Sequence, residues 1–219
     1  MFKKYINKTV TLLLPASCPI CWSTILQYPD LICDTCKALL PKEFDPAFRS
    51  IFSARDILSC SKNTNLTKKT IKLFKYGRKQ AISLFIPLIK KTALTQHDHF
   101  SNIDIILPVP IHRKRYKQRG FNQNEVIAEK LSYIIKKPML TGCLVKTKNT
   151  VSQTGLSSSQ RIHNLKKAFT LQNSHKLEKK NILLVDDIIT TGATMETCSR
   201  ELVKAGAKKI KGFTIAYTT

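Results

Sequence analysis

Ile182 to Val185 form an unbroken apolar run of strand length, and apolar residues return at helical spacing from Met195 to Ala205. The polar stretch between them predicts a strand-to-helix turn, and ligands of open parallel sheets bind outside such turns. The two ends of the turn offer different chemistry. Asp186 and Asp187 close the strand with adjacent carboxylates, which can accept hydrogen bonds from sugar hydroxyls or hold a hydrated Mg2+ through water. Thr190, Thr191, Gly192, Ala193 and Thr194 supply three hydroxyls and successive backbone N–H groups at a helix N-terminus, where small residues let a phosphate approach. A phosphorylated sugar satisfies both halves. The alternative is a tight turn with solvated aspartates and a threonine cap.

Four cysteines form a second pattern. Cys18 and Cys21 make one C-x-x-C pair, and Cys33 and Cys36 make another after eleven intervening residues. Such pairs chelate from tight turns and together complete a tetrahedral Zn2+ site, which a closed thiolate shell makes structural. A segment this small has little core, so the metal is expected to fold it. Cys198 shares a helix face with Met195 and Leu202 and reads as a core thiol.

Charge supplies the third constraint. With 37 Lys+Arg against 14 Asp+Glu the formal charge is +23, and no acid falls between Asp56 and Asp98, Asp104 and Glu125, or Glu129 and Glu178. A polyanionic partner follows, although charge alone does not separate nucleic acid from nucleotide pyrophosphates or anionic lipid. The densest block is Arg113, Lys114, Arg115, Lys117 and Arg119, read as a loop after a strand over Ile103 to Val109. With Arg161 it can bind pyrophosphate or nucleic-acid phosphates, while Tyr76, Tyr116 and Phe121 are candidates for base stacking.

The remaining elements follow from periodicity. Residues 1 to 14 predict a short amphipathic helix, packed on the body or resting on a membrane surface. Helices are expected over 66 to 77 with Gly77 as the stop, over 82 to 94 with a kink or break at Pro87, and from Asn122 or Asn124 through Ile135. His97 and His99 read as a polar loop. Strands are expected over 144 to 146, 168 to 171 and 209 to 217, with a polar loop and candidate lid over 147 to 160 and a helix from 157 to 167. The order predicts an α/β protein with a mainly parallel, doubly wound sheet, preceded by a small N-terminal zinc-binding module. The expected boundaries are 1–44 and 45–219. No apolar run approaches the ~18 residues of a membrane span, and the basic, apolar and Ala16–Cys18 sequence only faintly imitates a signal peptide. The expected location is cytoplasmic, with docking at the inner membrane face open.

The run Leu184 to Thr194 resembles the phosphoribosyl pyrophosphate (PRPP) binding motif of type I phosphoribosyltransferases. The resemblance implies that Asp186 and Asp187 contact ribose hydroxyls, that Thr190 to Thr194 hold the 5'-phosphate, and that Mg2+ accompanies PRPP. Together with the cysteine pairs, the Val109-Pro110 and Arg113 to Gln123 block, and Gln153, Leu156, Arg161 and Asn164, it is similar to the ComF family. That resemblance implies a type I phosphoribosyltransferase fold and a role in natural competence, moving single-stranded DNA with a partner ATPase or helicase. Three functions remain open at this point: DNA handling with a sugar-phosphate pocket, phosphoribosyl transfer to a small amine or nucleobase, and an adaptor role for the zinc module. No acceptor-binding or catalytic residue can be named.

Overall fold

A computed structural model describes residues 16–25, 32–51, 56–76, 79–148 and 168–218. The expected helix over 1 to 14, Gly77, Arg161, the helix over 157 to 167 and most of the loop over 147 to 160 lie outside the described residues.

The central sheet has five strands in the order β3 (Phe44–Arg49), β4 (Ile57–Lys62), β9 (Lys209–Tyr217), β8 (Asn181–Ile189), β5 (Ile105–Pro108). All pairs are parallel except the edge pair β3–β4. This is the mainly parallel sheet that the sequence predicts. A two-residue hairpin, β1 (Ala16–Ser17) and β2 (Thr24–Ile25), precedes it, and β6 (Leu144–Lys146) pairs with β7 (Phe169–Leu171) beside it. The helices are α1 (Asp34–Leu39), α2 (Asn65–Lys75), α3 (Ile86–Thr95), α4 (His97–Phe100), α5 (Arg113–Arg119), α6 (Gln123–Ile135) and α7 (Ala193–Lys204).

Alternation along β8 divides the core. Leu183 and Val185 join Phe213 and Ile106 under Ile71 and Phe74 of α2, Leu88 of α3 and Ile127 of α6. Ile182 and Leu184 face the other way, with Met195, Cys198 and Leu202 of α7 and Leu144 and Phe169 of β6 and β7. Because both faces are covered, the run is continuously apolar rather than alternating.

Several expectations change in detail. β8 runs to Ile189, four residues beyond the apolar run, because β9 continues to pair with it as far as Ile189 and Tyr217. Pro87 marks a break: a 3-10 helix over Lys79–Leu84 ends before α3, and Pro87 sits in the first turn of α3, where its missing N–H costs nothing. The segment around His99 is not a polar loop. It forms a helical turn that buries His99 between Phe48 and Phe100, with Nε2 3.0 Å from the Gly212 carbonyl, and burial pushes its pKa down to about 4.

Candidate functional site

The alternation that divides the core also parts the two carboxylates. Asp187 continues the Leu183–Val185 face and meets α2 and α6; Asp186 continues the Ile182–Leu184 face, toward β6 and α7. β5 stops opposite Val185, so among the described residues one side of β8 has no strand at the acids. The start of α6 fills that side. Asn122 and Asn124 both donate to the Val109 carbonyl, at 3.2 and 2.9 Å, which fixes the helix over the strand end.

Asp187 is the more enclosed acid. Its Oδ2 lies 2.7 Å from Lys75 Nζ and accepts from Gln123 Nε2 at 2.9 Å, with side-chain exposures of 22% for Lys75 and 7% for Asp187. Arg119 donates to Gln123 Oε1 at 2.8 Å and lies over the Tyr76 ring, so the cation is linked to the acid through an amide. Asp186 is half-buried. Its Oδ1 accepts from Asn124 Nδ2 at 2.8 Å and from the Asp187 N–H at 2.9 Å. Beside it, Asn124 Oδ1 is buried without a hydrogen-bond partner among the described residues. A buried acceptor in that state is costly and suits a donor such as a sugar hydroxyl.

Burial, and then the neighbouring Asp187 charge, push the Asp186 carboxyl up from 3.8 to about 7. The folded protein therefore holds a proton here that the unfolded chain has released, and stability falls as pH rises from about 4 through 7. Asp186→Asn keeps an oxygen for both donors and removes the charge. Its melting temperature should pull ahead of the wild type's by several degrees between pH 5 and pH 8, and parallel pH profiles for the two proteins would contradict the assignment.

Lys146 of β6 approaches the same acid from the other face. Burial, followed by the Arg115 charge, lowers its pKa, while Asp186 raises it, and its ammonium lies 5.2 Å over the Phe169 ring. Lys146 thus places a cation near Asp186, with Arg115 close enough to Lys146 to repel it. Sequence reasoning found Arg115 but missed Lys146, Lys75, Gln123 and Asn124. The available signal was three consecutive amide side chains, Asn122 to Asn124, opening an amphipathic helix; Asn122 or Asn124 read as a cap, and Asn122 is that cap, but all three are also buried.

At the far end of the turn, Gly192 adopts φ +78° and a Cβ there would lie 2.7 Å from Ile51 Cγ2, so only glycine fits. The first turn of α7 follows it with Ala193 and Thr194. Thr190 and Thr191 are exposed, and the Thr190 carbonyl accepts from Arg49 of β3 at 3.5 Å. The structure therefore brings a small-residue helix N-terminus to the end of the strand that carries both acids.

The basic block is not a loop. Arg113–Arg119 is a helix capped by His112, whose Nδ1 accepts from the Lys114 N–H, and closed by Gly120 at φ +77°. Its cations consequently point in several directions: Arg119 reaches Gln123 beside Asp187, Arg115 is half-buried near Lys146, and Arg113, Lys114 and Lys117 are exposed. Tyr76 and Tyr116 are exposed. Phe121 is a poorer platform than the sequence suggested, because its ring packs 5.7 Å from Phe74 at the edge of the core.

The four N-terminal cysteines converge. Their sulfurs all lie within 4.8 Å of one another, and tetrahedral Zn–S bonds of about 2.3 Å would need them roughly 3.8 Å apart. Cys18 sits in the β1–β2 turn, Cys33 caps α1 and Cys36 lies within it. Hydrogen bonding to Ser23 holds the Cys21 thiol down to about 6, favouring the thiolate that metals bind. The cluster fits a metal ion. α2 joins it to the site above: Leu66 and Leu73 pack on the cysteine cluster, Lys69 donates to the Ile20 carbonyl at 2.7 Å, and Lys75 ends the same helix.

Comparison with known proteins agrees with this architecture. Residues 118–218 match the phosphoribosyl transferase domain family. The chain is 37% identical to competence protein F of Haemophilus influenzae over 114 residues, 52% of this chain and 50% of that protein. It is 30% identical to the DNA utilization protein YhgH of Escherichia coli K12 over 52% of this chain and 50% of that one. Competence protein ComFC of Bacillus subtilis is 26% identical over 206 residues, covering 90% of this chain and 76% of its own. The match thus spans half the length of the first two relatives. Among the described residues no helix is long and apolar enough to cross a membrane. Over residues 118–218 the chain is thus similar to phosphoribosyl transferase domains, and its relatives carry competence and DNA utilization names.

Proposed function

We propose that the protein handles incoming single-stranded DNA during natural transformation and carries a pocket for PRPP or a related phosphorylated sugar. The observation that supports the pocket is the orphaned Asn124 Oδ1 beside Asp186, on the strand that leads into the Gly192 turn. In this reading Asp186 and Asp187 take the ribose hydroxyls, and Thr190 to Thr194 with the first N–H groups of α7 take the 5'-phosphate. Arg115, Arg119 and Lys146 offset the charge of a pyrophosphate, with Arg113, Lys114 and Lys117 at its margin. Mg2+ would enter with PRPP as its counter-ion, near the acids. The relatives' printed names, competence protein and DNA utilization protein, support the DNA role.

The chain is read as two units, 1–44 holding Zn2+ on its four cysteines and 45–219 holding the pocket. A competence ATPase or helicase is the expected partner, on the cytoplasmic side of the membrane. A second reading, phosphoribosyl transfer to a small amine or nucleobase, is favoured by the half-buried Lys146 near Asp186, since a fixed cation there would stabilise pyrophosphate as it departs.

At a hundredfold excess over its Kd, PRPP with Mg2+ should stabilise the protein by about 2.7 kcal/mol, or roughly 5–10 °C in melting temperature. Asp186→Asn combined with Asp187→Asn should abolish most of that shift. An undiminished shift in the double variant would refute the pocket, and pyrophosphate release against a panel of bases and amines separates binding from turnover.

A further inference from the structure

The pocket uses one end of the sheet, and the other end is also charged. There Asp104, Asn181 and Lys209 stand in a row where β5, β8 and β9 begin. A cleft of about 450 Å3 opens beside them, with Lys137, Lys208, Lys209 and Lys211 on its walls. Asp104 is the only carboxylate in the lining, and its Oδ2 is occupied by the Asn181 N–H at 2.7 Å. Lys211 Nζ donates to the His99 carbonyl at 2.8 Å and Lys137 Nζ to the Ser101 carbonyl at 3.4 Å, contacts that hold both ammonium groups at the rim without neutralising them.

Among the described residues, none of the four lysines is within ion-pair distance of a carboxylate. Asp56 and Asp98 act on Lys211 only from beyond that distance. Burial, and then repulsion from Lys209, lower the Lys211 pKa, which shows that the cluster opposes its own charge. Such a concavity gains from a bound anion.

We propose that this cleft binds the phosphodiester backbone of single-stranded DNA, separately from the phosphoribosyl pocket. The inference rests on the DNA-handling role proposed above and adds the surface that performs it. Exposed Lys136 and Lys180 extend the basic surface past the lining, as an elongated polyanion requires and a small phosphate does not. No aromatic residue lines the cleft, so recognition is through phosphate and independent of sequence. Along β8, five residues separate Asn181 of the cleft from Asp186 of the pocket, about 17 Å. Both can be filled at once.

The test is fluorescence anisotropy of a labelled oligothymidylate with the full chain across a salt series. Changing Lys137, Lys208 and Lys209 to Gln, with the partly buried Lys211 retained, should weaken binding about tenfold to a hundredfold at low salt. It should also make the log–log salt slope shallower by about 2. The melting shift with PRPP should be unchanged in this variant, confirming its fold. Arg113→Gln with Lys114→Gln and Lys117→Gln serves as the comparison. If the cleft variant binds like the wild type while the α5 variant does not, the inference fails and DNA handling stands. If saturating PRPP with Mg2+ displaces the oligonucleotide, DNA occupies the pocket and a separate site is excluded. If the wild-type chain shows no salt-sensitive DNA binding, the DNA-handling role itself fails.

Discussion

Lys75→Met is expected to lower the free energy of unfolding by about 3–5 kcal/mol at pH 8, because it strands an enclosed carboxylate without its cation. Lys75 approaches Asp187 to 2.7 Å and only 7% of the Asp187 side chain is accessible, so water cannot replace the lost ammonium group. Gln123 remains, but one neutral donor does not offset a charge. Lys75 also lowers the Asp186 pKa, so its removal drives that acid further up, and the penalty should shrink as the medium is acidified toward pH 5. Adding Asp187→Asn to Lys75→Met should recover most of the loss, since the pair is then replaced by neutral groups. Urea unfolding of the four proteins of the cycle measures this. A cost below about 0.5 kcal/mol would reclassify the contact as an exposed pair of little worth.

Metal removal should have the larger structural effect. Structural zinc supplies about 10–16 kcal/mol in small thiolate modules, comparable with the whole net stability of a domain, about 5–15 kcal/mol. Among the described residues the sulfurs have only Ile20, Ile25 and Ile32 as buried apolar neighbours within the segment, while Leu40 packs into the main core. Chelation, or Cys33→Ser, should therefore open residues 16–43 to rapid tryptic cleavage at Lys37 and Lys42 and lower the melting temperature of the entire chain. The effect should spread because Leu66 and Leu73 of α2 lose the surface they pack on. Metal analysis should give one zinc per chain. A chelated protein with unaltered cleavage and melting would remove the metal from the account.

The parts legible in the sequence are those whose signal is local. Two C-x-x-C pairs announce a chelate by spacing, the apolar run of β8 announces a covered strand, and Lys209 to Tyr217 is a strand with the same bounds in the structure. The partnership of Lys75 with Asp187 joins residues 112 apart in the chain, and nothing near either one indicates it. His99 illustrates a different obstacle. In a run of polar residues it looked solvated, but two aromatic rings and the Gly212 carbonyl on β9 made burial favourable. The block Arg113 to Arg119 was misjudged because like charges disfavour a helix locally. The caps at His112 and Gly120 and the connection of Arg119 to Gln123 outweigh that repulsion.

The opposed faces of Asp186 and Asp187 limit how the chain can vary. Deleting one residue between Ile182 and Val185 would move Asp187 onto the Cys198 face, out of reach of Lys75, and put Asp186 in the buried place of Val185. Length changes here are tolerable only in twos, so the spacing from hydrocarbon to acid behaves as a parity condition on the gene.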